Sequence, residues 1–202
     1  MSARRRRFAQ GEVIFHEGDA GTSLHIVAVG RVAVWASGTL GDSTMLNVLG
    51  PGEFFGELAL VDADDIRTAT VKALEPTETL SVTRNDFDEL RSRHPSIDRV
   101  LVGALADRVR RLSLLVVEIL FVPAEVRVIN RLLAVAELWG GARPGLTIPL
   151  TQEDLAGLAG TTRSTVNRSL RDAEEAGLLR LGRRRIELLD PAALKARAHH
   201  AS

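Results

Sequence analysis

Two clusters of side chains in this 202-residue chain have the types and spacing to bind something. The first lies in TQEDLAGLAGTTRSTVNRSL, residues 151–170. On a helix beginning after Thr162, the side chains of Arg163, Ser164, Asn167 and Arg168 share an outward face. Val166, Leu170 and Ala173 form the inward stripe. Arginine forks suit guanine O6 and N7, asparagine suits adenine, and serine discriminates less. The second cluster is FFGELAL at 54–60 followed by RTAT at 67–70. Gly56 allows a close backbone approach and leaves amides available to an anion. Arg67 offers a planar fork that suits phosphate, Thr68 adds a hydroxyl, and Glu57 can accept from sugar hydroxyls. An acid and an arginine ten residues apart behind a glycine equally make a structural ion pair, and spacing alone does not choose.

The elements that must position the first cluster are two short helices and a tight turn. Thr151 caps the first helix, and Asp154 completes a capping box. Leu155, Ala156, Leu158 and Ala159 give it one apolar face, with small Ala156 where the helices cross. Gly160 stands where the chain must turn sharply. Thr162 caps the second helix. These offsets favour a helix-turn-helix over a helical hairpin with a solvated face. In a helix-turn-helix the start of the second helix meets base edges. Leu178–Leu181 and Arg185–Leu189 around Gly182-Arg183-Arg184 predict a hairpin, which would be the wing of a winged helix. Thr162, Thr165 and Arg184 are phosphate candidates, Asn167 is a candidate for adenine or phosphate, and Arg171, Glu174 and Glu175 are expected to be helix-surface charge. The chain carries 26 basic and 26 acidic residues. From Gly140 onward there are ten Lys/Arg against seven Asp/Glu, so attraction for a polyanion must come from a local patch.

The second cluster sits among short β-rich runs: VIF (13–15), LHIVAV (24–29), RVAVWA (31–36), TMLNVL (44–49), TATVKA (68–73) and TETLSV (77–82). Gly11, Gly18, Gly21, Gly30, Gly41, Gly50, Gly52 and Gly56 punctuate them, which predicts an antiparallel sandwich or barrel. A short helix follows over 86–93, capped by Asn85 or Asp86. Behind Pro95 comes a long helix, about 97–121. Its apolar residues Ile97, Leu101, Leu105, Val109, Leu112, Val116 and Ile119 step by three or four. Such a near-heptad seam is expected to be a dimer interface rather than a surface packed on its own barrel. Pro123 starts another helix over about 124–139. A loop over 140–145 and a strand at Leu146–Leu150 precede the helix-turn-helix. Asp190-Pro191 caps a last short helix, expected to fray.

The expected fold is α+β: an N-terminal antiparallel β-roll over 1–94, a dimerisation helix and hinge over 95–122, and a C-terminal winged helix-turn-helix over 123–202. No apolar run reaches membrane-spanning length. Arg4–Arg7 lacks the hydrophobic stretch of a signal peptide. The absence of cysteine excludes disulfides, thiolate zinc and cysteine-ligated iron–sulfur clusters, and fits the cytoplasm. No nucleophile–base–orienter set stands out, so an enzyme is not expected. His16, His25 and His94 are isolated, so no metal site is expected either.

The order roll, long helix and helix-turn-helix, with FGELAL…RTAT and the early segment EVIFHEGDAGTSLHIVAVGRV, resembles the catabolite-activator/fumarate-nitrate-regulator (Crp/Fnr) family of bacterial transcription factors over essentially the whole chain. The resemblance implies a cyclic-nucleotide-binding jelly roll and a homodimer on palindromic double-stranded DNA. It further implies RNA polymerase as a partner and allosteric control by a cyclic nucleotide, cAMP ahead of cGMP. Glu57 would meet the ribose 2′-hydroxyl, and Arg67 and Thr68 the cyclic phosphate, beside the Gly56 and Leu58 backbones. Arg108 matches an arginine near ribose and phosphate. Leu112 and Ser113 match a Thr-Ser pair at the adenine, the serine arriving from the other subunit.

Leu112 departs from that pattern and removes a hydrogen bond worth about 1 kcal/mol. Thr68 could face a syn guanine. Ser164 stands where the activator branch has a base-reading glutamate, so the half-site is expected to differ. Iron–sulfur and haem sensors of the family use cysteine and are excluded. A leading helix of relatives is expected to be short or missing. Ligand would act through a hinge near Phe121–Ala124 on two recognition helices roughly 34 Å apart. The alternative is a ligand-independent regulator with a degenerate pocket.

Overall fold

The computed structural model describes residues 3–38, 43–61 and 66–200. Two four-stranded antiparallel sheets form the N-terminal roll. One holds β1 (Arg4–Phe8), β8 (Thr77–Thr83), β3 (Ser23–Val29) and β6 (Phe54–Phe55), in that order. The other holds β2 (Val13–Phe15), β7 (Thr70–Ala73), β4 (Val32–Ser37) and β5 (Ser43–Leu49). Alternation along these strands sends Val27, Val32, Leu49, Phe55 and Val71 inward from both sheets into one core. Each run expected to be a strand forms one, although β7 starts only at Thr70, leaving Thr68 and Ala69 in a bend. Gly41 lies outside the described residues.

Composition hid three elements. Strand β1 is four arginines and a phenylalanine, of which Phe8 alone is buried. It forms because β8 supplies a ladder and Glu78 receives Arg5 and Arg7, each at 2.7 Å. Strand β6 and helix α1 (Leu58–Val61) are too short for a periodic signal.

Helix α2 (Arg84–Arg93) is capped by Thr83, not by Asn85 or Asp86. The Thr83 hydroxyl accepts from the Asp86 amide at 3.3 Å and donates to its carboxylate at 2.7 Å, which places Asp86 inside the first turn. Helix α3 (Ser96–Phe121) is continuous, and the chain divides within it into two compact units, Met1–Leu112 and Ser113–Ser202. Its expected seam splits. Ile97 and Leu101 pack on the cluster of Leu24, Leu60, Val82 and Phe87. Val109, Leu112, Val116 and Ile119 are 42–63 % exposed.

In the C-terminal unit, α4 (Ala124–Leu138) begins after Pro123 and buries Val126, Val128, Ile129, Leu132 and Val135. Helices α5 (Gln152–Ala159) and α6 (Arg163–Glu175) follow. A three-stranded sheet is built from β9 (Thr147–Ile148), β11 (Arg185–Leu188) and β10 (Leu179–Gly182). Strand β9 is shorter than the expected Leu146–Leu150. Helix α7 (Pro191–His200) is capped by Asp190 at the Ala193 amide and buries Leu194 and Ala198. No helix among the described residues is long and apolar enough to cross a membrane.

Candidate functional site

In the roll, β6 runs into Gly56 at φ 82° and then α1. Arg84 of α2 donates to the carbonyls of Ala59 at 2.5 Å and Leu60 at 3.1 Å, which fixes this short turn in place. The Glu57 carboxylate is only 1 % exposed and accepts from Arg108 Nη1 of α3 at 2.5 Å. A buried carboxylate without such a partner would cost several kcal/mol, on the order of a full desolvation penalty. Glu57 and Arg108 line a cavity of about 180 Å³ together with Phe54, Leu105 and Arg111.

Arg67 does not join that pair. Its guanidinium lies 4.1 Å over the Phe15 ring, donating from Nη1 to the Gly56 carbonyl at 2.8 Å and from Nη2 to the Ser23 carbonyl at 2.6 Å. A Cβ on Gly56 would collide with Arg67 Nη1, so the glycine leaves room for this guanidinium rather than for a ligand directly. Neither a Glu57–Arg67 ion pair nor an open fork describes the arrangement. Arg67 is 4 % exposed, and its Nε has no hydrogen-bond partner among the described residues. Burial lowers its pKa, opposed by the charges of Asp19 and Glu57. A buried cationic N–H without an acceptor is costly, and an anionic oxygen is one group whose chemistry suits it.

Behind Arg67, His25 stacks on Phe55 with ring centroids 5.3 Å apart, and its Nδ1 lies 3.0 Å from the Thr79 hydroxyl. Burial first, then the charges of Arg67 and Arg6, push its pKa down to about 4, so it is a neutral core residue near neutral pH. Thr68 and Leu58 are exposed beside this region, and Leu112 and Ser113 are exposed on α3. Among the described residues no group of His, Asp and Glu is arranged to hold a metal ion.

The C-terminal unit presents the other cluster. Thr151 and Asp154 form the capping box at 3.1 and 2.7 Å. Gly160 is left-handed at φ 57°, closing α5. Thr162 caps α6 by accepting from the Thr165 amide at 3.3 Å. Val166, Leu170 and Ala173 are fully buried against α4 and α5, which turns Arg163, Ser164 and Arg168 outward. Part of that face is already engaged. The Asn167 carbonyl oxygen accepts from Arg171 Nε at 3.2 Å, and Arg168 Nη2 donates to Glu125 of α4 at 2.5 Å. In the wing, Arg184 takes the left-handed conformation at φ 56°, a cost of about 1 kcal/mol for a side-chain-bearing residue. A cleft of about 490 Å³ between α5, α6 and the wing is lined by Thr151, Gln152, Arg163, Leu181, Arg184 and Arg185. Three arginines around this open cleft suit phosphate oxygens, with Glu153 the one acid in the lining.

Several positioning residues escaped the sequence. Glu174, expected to be surface charge, accepts from the Leu181 amide at 2.7 Å and ties α6 to the wing. Arg127 is buried and donates to four backbone carbonyls: Ile119 at 3.4 Å and Val122 at 2.7 Å near the end of α3, and Ala159 and Gly160, both at 3.0 Å, at the end of α5. An arginine between Val126 and Val128, in the inward register of an apolar stripe, was the signal for it. A Cβ on Gly160 would lie 2.8 Å from Ile119 Cδ1, so the turn packs closely on the end of α3.

Residues 5–94 match the "Cyclic nucleotide-binding domain" family, and residues 126–197 match the "Crp-like helix-turn-helix domain". The chain is 39% identical over 194 residues to the "Cyclic AMP receptor protein" of Thermus thermophilus, spanning 95% of this chain and 86% of that protein. It is 31% identical over 194 residues to the "CRP-like cAMP-activated global transcriptional regulator" of Mycobacterium tuberculosis, with the same 95% and 86% coverage. The crystal structure of a CRP-family transcriptional regulator from Thermus thermophilus has a TM-score of 0.78 and 26% identity, covering 96% of each chain.

Proposed function

Because the chain belongs to the Crp/Fnr family of transcription regulators, with a cyclic nucleotide-binding domain ahead of a DNA-binding helix-turn-helix, we propose that it is a homodimer in which a cyclic nucleotide controls how two recognition helices meet DNA. The observation that carries the ligand assignment is Arg67: a guanidinium buried beside Gly56 and Glu57, one of whose N–H groups lacks an acceptor among the described residues. An exocyclic oxygen of a cyclic phosphate supplies that acceptor, with the Thr68 hydroxyl beside it. Glu57 and Arg108, already in contact, exchange part of their bond for the ribose 2′-hydroxyl.

A cavity of about 180 Å³ is smaller than the usual ligand pocket of about 300 Å³ or more. Binding therefore opens the Glu57–Arg108 pair and draws on differential affinity between the open and closed arrangements. The names of the relatives favour cAMP over cGMP. The exposed apolar residues Val109, Leu112, Val116 and Ile119 support the dimer seam. In this reading residues 1–94 bind ligand, 95–122 form the dimerisation helix and hinge, and 123–202 bind DNA.

Two observations favour a rival, a regulator that needs no ligand: two arms of Arg67 are already engaged on backbone carbonyls, and Leu112 offers no hydroxyl. Calorimetric titration of the purified protein with cAMP and with cGMP, paired with promoter binding under no ligand, cAMP and cGMP, separates the two. Saturable binding that changes promoter affinity and is lost in Arg67→Ala supports nucleotide control. Promoter binding indifferent to both nucleotides supports the rival.

A further inference from the structure

Arg168 does not project alone from α6. Its Nη2 donates to Glu125 Oε1 at 2.5 Å, and Glu125 sits 43 residues earlier in the first turn of α4. The Arg168 side chain is 66% exposed and that of Glu125 46%, so water screens the pair and it contributes little to folding. It nevertheless fixes a direction. A free arginine on three methylenes samples many rotamers, and any phosphate oxygen satisfies its fork. With one Nη2 hydrogen held by a carboxylate, the remaining N–H groups have one preferred orientation. The backbone amide at the start of α4, then Arg168 and the charge of Arg127, lower the pKa of Glu125, so the carboxylate stays ionised beside the guanidinium.

We propose that Glu125 is a specificity-determining residue for DNA: it aims the Arg168 fork at a base edge and prevents Arg168 from acting as a plain phosphate contact. This rests on α6 being the recognition helix. The physical reason is double. Pre-orienting the fork lowers the entropic cost of a bidentate contact to one base. Neutralising Arg168 internally, and placing an anion next to it, weakens attraction to phosphates that carry no sequence information.

The test uses the full-length protein, with cAMP, with cGMP and with neither. Duplexes containing a randomised palindromic site are selected by the wild type, Glu125→Gln, Glu125→Ala and Arg168→Ala. Affinity for the selected duplex and for an unrelated duplex is then followed against KCl concentration. Both Glu125 variants should lose about five- to tenfold discrimination at the same base pair of each half-site that Arg168→Ala loses. They should also bind the unrelated duplex more tightly, with a log K against log salt slope steeper by about 0.9 per recognition helix, because Arg168 is released to a phosphate. Unchanged base preference and unchanged slope would overturn the proposal. So would tighter binding to the selected site with discrimination intact, which makes Glu125 a competitor only. A wild type that enriches no sequence under any of the three conditions sinks the assignment of α6 itself, and the role of Glu125 with it.

Discussion

Arg127→Met keeps an apolar stem of similar length and removes the guanidinium that binds four carbonyls. The bonds to Val122 at 2.7 Å and to Ala159 and Gly160 at 3.0 Å are well formed, while that to Ile119 at 3.4 Å is weak. Hydrogen bonds to a charged group contribute about 1.5–3 kcal/mol each. Three bonds made by one rigid group are not additive, and the methionine stem retains some packing. The expected loss is therefore about 3–5 kcal/mol, the range for breaking a buried charged network from one side. The two tryptophans allow it to be measured, since Trp35 lies in β4 and Trp139 caps α4, one in each compact unit. In a Trp35→Phe background, urea unfolding followed by Trp139 fluorescence reports the C-terminal unit. In a Trp139→Phe background, Trp35 reports the roll. Arg127→Met should lower stability in the first and leave the second within about 0.5 kcal/mol. Arg127→Lys should recover only a fraction, because one ammonium cannot span carbonyls of two helices. A Trp139 transition within about 1 kcal/mol of its parent would refute the idea that this side chain holds the turn to the end of α3.

Gly160→Ala should destabilise the same unit by about 1–3 kcal/mol through its left-handed backbone and the contact with Ile119, and Ile119→Val should recover part of the loss in the same urea assay. Below pH 6.5 the unfolded chain binds a proton at His25 that the folded roll refuses until about pH 4. The His25 contribution is thus complete above pH 6.5 and is lost as pH falls toward 4, about 3 kcal/mol in all. Trp35-monitored unfolding at several pH values should show that slope, and His25→Phe should flatten it; an unchanged slope would remove His25 as the cause. Val116→Asp should turn a dimer into a monomer in sedimentation equilibrium, and a persisting dimer would move the interface away from this face of α3.

Local chemistry was legible where a residue's role depends on its immediate neighbours. Thr151, Asp154, Gly160 and Thr162 act within one turn of where they stand, so their sequence spacing predicts the observed caps and turn. Val166, Leu170 and Ala173 are buried because a period of 3.6 puts them on one face. The path of a long side chain was not legible. Arg67 could reach Glu57, a ligand or a backbone carbonyl with equal ease, and only the fold brings Ser23 and Gly56 within its grasp. Arg127 and Glu125 act across 32 and 43 residues of sequence, beyond any periodic pattern. Periodicity presents the seam of α3 as one stripe because it does not say what covers each part. Ile97 and Leu101 pack within their own roll, and the stripe opens to solvent further along.

The arginines of β1 have a consequence for how the roll resists misassembly. This strand is the outer member of its sheet and pairs on one side with β8. Its far side offers backbone donors and acceptors to any extended chain. A second copy arriving there would set one row of guanidinium groups against another, and like charges oppose the ladder that bare backbone would invite. Glu78 pairs with Arg5 and Arg7, which stay exposed, without cancelling the run. Because exposed charges are screened over about 3 Å at 1 M salt, high ionic strength strips this guard while leaving the apolar core intact. Brine is thus the medium in which stray polymerisation along this edge has least to stop it.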